Sequence, residues 1–164
     1  MTKFIALVGT NSQRSTNRTL LQYMQKHFAK KVEIELVEIK DLPLFNKPAN
    51  KQVPAKIDAA DGVIIGTPEY DHAIPAVLMS ALAWLSYGIH PLLNKPVMIT
   101  GASYGTLGSS RAQLQLRQIL DSPELKANVM PGSEFLLSHS LQAFDKKGDL
   151  IDLDTIKKLD ALFD

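Results

Sequence analysis

No cysteine occurs among the 164 residues. Its absence removes disulfide frameworks, thiolate metal sites and cysteine nucleophiles, including those phosphatases that act from a cysteine loop behind a first strand. A reducing, cytoplasmic setting suits such a chain. Neither charge predominates: 18 Lys and Arg stand against 17 Asp and Glu. That balance makes no long-range field, which speaks against nucleic acid or a membrane surface and for a small-molecule partner. No apolar run approaches the roughly 18 residues of a membrane span. The stretch Phe4 to Val8 is too short for the apolar core of a signal peptide, and it leads into a turn. Internal repeats and low-complexity tracts are missing. So are a Gly-x-Gly-x-x-Gly fingerprint, a Gly-Lys-Ser/Thr phosphate loop and the acidic residues that a receiver phosphoacceptor needs after its first strand. His27, His72, His90 and His139 are scattered without metal-ligand spacing. No metal site and no catalytic side-chain set are expected.

What the chain does have is alternation. Apolar runs predict strands over 3–8, 32–37, 62–66, 96–101 and 133–138, and helical periodicity predicts helices over 16–29, 53–60, 75–87, 109–121 and 153–163. Five such β-α alternations imply one α/β domain over 1–164, with a parallel sheet covered on both faces. The first, third and fourth strands are continuously apolar, as interior strands are. Val32-Glu-Ile-Glu-Leu36 alternates, which suits an edge strand and hence the order 2-1-3-4-5. The helix over 75–87 carries one polar side chain, Ser80, within Pro75 to Leu85. A helix apolar all round must be covered all round. Two covers are open: a second subunit, or the long loops 38–52 and 86–95.

Three polar, glycine-containing loops follow strands one, three and four, and in an open α/β sheet such loops converge at the carboxyl ends of the strands. Gly9-Thr-Asn-Ser-Gln-Arg-Ser-Thr-Asn17 brings hydroxyls, amides and Arg14 to a helix start, a suitable cage for a phosphate monoester; simple helix capping is the plainer reading. Gly66-Thr-Pro-Glu-Tyr-Asp-His72 combines stiffening prolines with Tyr70, which can hold backbone groups toward a flat heteroaromatic edge or pack on the sheet rim. Gly101-Ala-Ser-Tyr-Gly-Thr-Leu-Gly108 permits close backbone approach to a ligand and supplies Tyr104. Ser103 within Gly-Ala-Ser-Tyr-Gly is also spelled like a nucleophile elbow, with His139 as the available base.

In their order along the chain, these loops, Pro75-Ala-Val-Leu-Met-Ser-Ala-Leu-Ala-Trp-Leu-Ser86, Lys95-Pro-Val97, Arg111-Ala-Gln-Leu-Gln-Leu-Arg117 and Phe144-Asp-Lys-Lys-Gly-Asp-Leu150 resemble the NAD(P)H-dependent FMN reductases. That family is flavodoxin-like and includes azo- and quinone-reducing members. The resemblance implies bound FMN, with NADPH or NADH as donor and a quinone, azo compound or free flavin as acceptor. Ser12, Arg14, Ser15 and Asn17 would hold the phosphate, Pro68, Glu69, Tyr70 and Asp71 would border the isoalloxazine, and Ser103, Tyr104 and Gly105 would line its other edge. Hydride would pass from nicotinamide to flavin N5 and on to an acceptor entering the same slot, giving ping-pong kinetics without a side-chain acid or base. In a homodimer or homotetramer through helix 75–87, the neighbour's 75–87 helix or 38–50 loop would supply the second wall of the slot. The chain departs from the family at Asp71, where Asn is common, and at Met79 and Ala83, where Lys and Asp are usual. Three rivals remain: a flavodoxin-type electron carrier, a flavin-holding subunit without turnover and a Ser103 hydrolase.

Overall fold

The computed structural model describes residues 1–47, 52–132 and 134–164. The start of the expected fifth strand at Ser133, and residues 48–51 of the expected 38–52 loop, lie outside the described residues.

Strands β1 (Lys3–Val8), β2 (Glu33–Glu38), β3 (Gly62–Thr67), β4 (Pro96–Ala102), β5 (Asn128–Val129) and β6 (Phe135–Leu137) alternate with helices α1 (Thr16–His27), α2 (Gln52–Asp58), α3 (Ala76–Leu85), α4 (Ser110–Leu120) and α5 (Leu153–Phe163). The sheet is parallel in the order β2-β1-β3-β4-β5, with β6 also paired to β4. This is the flavodoxin-like arrangement that the strand patterns predict.

Side chains of one strand point alternately to the two faces, and both faces are apolar. Ile5, Leu7, Val63, Ile65, Val97 and Ile99 pack with α2, α3 and α4 through residues such as Ile57, Leu82 and Leu116. Ala6, Val8, Ile64, Met98 and Ala102 pack with α1 and α5 through Leu20, Met24 and Leu159. At the β2 edge, Glu35 pairs with Lys3 at 2.9 Å and with Lys56 at 2.7 Å, charges that discourage pairing with another chain.

The fifth strand differs from its expected span. Two short strands share its place beside β4: Asn128 and Val129 stand opposite Pro96 and Val97, and Phe135 to Leu137 opposite Thr100 to Ala102. Between them come Pro131, which has no N–H to give a ladder, and Gly132 at φ +102°. A continuous strand cannot run through that pair.

Helix α3 is covered by the core on its inner side and by the loop after β2 on its outer side, but incompletely. Its inner face is buried through Leu78, Leu82 and Leu85. On the outside the Trp84 indole N–H donates to the Pro43 carbonyl at 2.9 Å, and the Phe45 N–H donates to Ser80 Oγ at 2.8 Å. Beyond that loop Ala76, Met79 and Tyr87 stay exposed. Among the described residues no helix is long and apolar enough to cross a membrane.

Candidate functional site

The loops after β1, β3 and β4 meet at the carboxyl end of the sheet around one cleft of about 680 Å³. Ser12, Arg14, Ser15, Asn17, Pro68, Glu69, Tyr70, Ser103, Tyr104 and Gly105 all line it. Asp71 does not. Thr16, Ala102, Thr106, Leu107 and Arg111 line it as well. The close meeting of the loops depends on glycine at the strand ends. A Cβ on Gly9 would stand 2.5 Å from the Gly66 carbonyl, and one on Gly101 would stand 1.8 Å from Ser109 Oγ.

The first loop divides its polar groups between architecture and open space. Ser15 caps α1, its hydroxyl accepting the Arg18 N–H at 3.2 Å. The N–H groups of Thr16 and Asn17 belong to the first turn, where no helical carbonyl can reach them. Asn17 is buried and spends both ends of its amide on Ala102, donating to the carbonyl at 3.0 Å and accepting from the N–H at 2.9 Å. It therefore rivets α1 to the end of β4, and its side chain is not free for a phosphate. Arg18 is also committed. It grips Glu38 at 2.5 and 2.9 Å and the Ser12 carbonyl at 2.9 Å, and hydrogen bonding to Glu38 raises its already high pKa. Arg14 is exposed, and its guanidinium has no ion-pair partner among the described residues.

In the second loop, Tyr70 and Ala73 exchange N–H···O=C bonds of 2.9 Å each. Between them Asp71 at φ 49° and His72 at φ 66° form a two-residue hairpin turn of the type that needs positive φ at both positions. Asp and Asn tolerate that conformation best among residues with side chains. This accounts for an acid at 71 and places it at an exposed tip. Tyr70 is 46% exposed, with its hydroxyl 3.1 Å from Thr10 Oγ1. The Glu69 side chain is only 8% exposed. One of its oxygens accepts the N–H groups of Arg111 and Ala112 at 2.9 and 3.2 Å, and the other accepts from the Arg111 guanidinium at 2.7 Å. Burial pushes its carboxyl up, but the Ala112 N–H and both donors of Arg111 outweigh it and hold the group below the usual carboxylate range.

The third loop is laced to residues 137–140. The Ser103 N–H donates to the Leu137 carbonyl, the Ser140 N–H to Ser103, and the His139 N–H to Gly105, at 2.9 to 3.0 Å. Ser103 Oγ donates to the Gly105 carbonyl at 3.2 Å, and no imidazole among the described residues bonds to it, so the elbow spelling has no base. Tyr104 is 56% and Leu107 49% exposed, giving the mouth an apolar lip. Among the described residues no group of three or more His, Asp or Glu side chains gathers that could hold a metal.

A phosphorylated flat ring fits this donor set. The volume lies in the ordinary range for small-ligand pockets. At one end lie an arginine and first-turn helix N–H groups without partners among the described residues, and two half-exposed tyrosines lie nearby on the other loops. Arg111 was legible only weakly, as the first-turn residue of the helix behind the third loop.

Comparison with known proteins agrees with this geometry. The family described as NADPH-dependent FMN reductase matches residues 2–142. The NADH:(hydroxy)cinnamate reductase subunit CrdA of Vibrio ruber is 59% identical over 98% of this chain and 83% of its own length. The NADH-dependent flavin reductase subunit 2 of Lactobacillus johnsonii is 47% identical over 98% and 93%. Among solved structures, the flavoenzyme NAD(P)H:(acceptor) oxidoreductase FerB of Paracoccus denitrificans aligns with a TM-score of 0.87 at 26% identity, covering 99% of this chain and 95% of that one. The chain belongs to the NADPH-dependent FMN reductase family and is an oxidoreductase of flavin and nicotinamide chemistry.

Proposed function

We propose that the cleft holds FMN and serves NAD(P)H-dependent reduction of a small acceptor such as a quinone, azo compound or free flavin. The observation that carries this reading is the convergence of three loops from three strands on one cleft with an anion-ready end. Arg14, the Ser15 hydroxyl and the first-turn N–H groups of α1 would take the phosphate. Ser12 and Asn17 shape that end, Asn17 through its rivet to Ala102. Pro68, Glu69 and Tyr70 would border the ring on one side and Ser103, Tyr104 and Gly105 on the other. Asp71 stands outside this set.

Bound FMN supplies the hydride relay between donor and acceptor. The protein's part is to bind, orient and leave one face open. Backbone N–H groups of the third loop are the candidates for stabilising negative charge on the reduced ring. Because one open slot would serve donor and acceptor in turn, the kinetics would be ping-pong.

Both close relatives are named as subunits, and the exposed Ala76, Met79 and Tyr87 on the α3 side offer a face for a second chain. We place the subunit contact of a homodimer or homotetramer there. The test of the function is an anaerobic absorption spectrum of purified protein: a bound-flavin band that bleaches on adding NADH or NADPH supports it. A colourless protein that refuses FMN refutes it, and a flavin band that neither donor bleaches leaves the electron-carrier reading in its place.

A further inference from the structure

The hydroxyl of Thr10 touches both walls of the cleft while lining neither. Thr10 is fully buried. Its Oγ1 accepts the Ser12 N–H at 3.1 Å, in the first loop, and lies 3.1 Å from the Tyr70 hydroxyl, in the second, a contact spanning 60 positions of sequence. A hydroxyl carries one proton and two lone pairs, so both bonds can be made at once. Tyr70 needs such a tether. Its ring is nearly half exposed, and no other aromatic ring contacts it among the described residues. The hairpin fixes its backbone but leaves its side-chain torsions open.

On the reading of the cleft as an FMN site, we propose that Thr10 is a positioning residue that couples the phosphate end of the cleft to its ring end. An anion that settles on the first loop fixes the Ser12 N–H against Thr10. The same hydroxyl then holds the Tyr70 phenol in one orientation at the ring. Coupling of this kind is reciprocal. The phosphate group therefore raises ring affinity beyond its own contacts, and a flavin without phosphate forgoes that gain.

The measurement is the affinity ratio of FMN to riboflavin, by fluorescence titration of the flavin-free protein. Thr10→Val keeps the shape and removes the hydroxyl, and the ratio should fall about tenfold. Tyr70→Phe cuts the link at its other end and should lower the ratio equally. The double variant should fall no further, and Thr10→Ser should restore the ratio. Falls that add up in the double variant, or an unchanged ratio in Thr10→Val, overturn the coupling. Tyr70→Phe removes a single oxygen from a half-exposed side chain, so the outcome does not hang on whether Thr10→Val folds. Wild-type protein that takes up neither flavin overturns the FMN reading, and the coupling with it; uptake with an unchanged ratio overturns the coupling alone.

Discussion

Glu69 caps a helix that is not its own: its carboxylate accepts the N–H groups of Arg111 and Ala112 at the start of α4, at 2.9 and 3.2 Å. Ser109, in the ordinary cap position, lies at φ 69° and makes no side-chain cap bond. The loop after β3 thus closes the first turn of α4 through bonds that span 42 and 43 positions of sequence. Replacing Glu69 by Ala should cost about 1–2 kcal/mol, the usual size of a lost cap, read as a lower urea midpoint at neutral pH.

The same carboxylate gives a pH signature. Its pKa is lowered in the folded protein, so between that value and the ordinary glutamate range near 4.3 the unfolded chain binds more protons. Stability then rises with pH through this window, is complete above it, and is lost as pH falls through the folded value. The stability gap between wild type and Glu69→Gln should accordingly be widest at neutral pH and shrink toward pH 3. An equal gap at both pH values contradicts the ion-pair account.

Arg14 and Arg18 lie four residues apart and should behave oppositely. Arg14→Ala with Ser15→Ala should release FMN from the purified protein. The Arg14 change alone should move stability by no more than about 0.5 kcal/mol, as exposed positions do. Arg18→Ala breaks charged hydrogen bonds to Glu38 and should cost about 1.5–3 kcal/mol. Unchanged FMN affinity in the Arg14 and Ser15 double variant removes the phosphate assignment.

Thr100 is fully buried in β4, and its hydroxyl has no partner among the described residues. Thr100→Val keeps the branched shape and removes the orphan, so it should stabilise the protein by about 1 kcal/mol and leave flavin binding unchanged. A destabilised variant in the urea melt would mean that a buried water satisfies the hydroxyl.

For the exposed side of α3, sedimentation at micromolar concentration should show a dimer or larger. Ala76→Glu with Met79→Glu should yield folded monomer, because two like charges would be desolvated in the contact. Monomeric wild type rejects this face as the contact.

Element order was legible in the sequence because burial on both faces leaves continuous apolar strands, and because β2 betrays its edge place by alternation. Periodicity reports burial and not partners, and this explains what was missed. Nothing in the sequence marks Asn17 as the partner of Ala102, 85 residues on, or Arg111 as the partner of Glu69. The turn that carries Asp71, with positive φ at both 71 and 72, is likewise not written in the sequence. Asn128 and Val129 form too short a run to announce a strand. The loops converged as expected because strand order alone decides which of them meet.

Much of the cleft is drawn by the path of the main chain. Asn17 clamps the Ala102 peptide, and the carbonyls of Ser103 and Gly105 are pinned from behind by the amides of Ser140 and His139. Evolution can therefore repaint the doorway at Tyr104 and Leu107, and so change which guests are admitted, while the frame that carries them stands untouched.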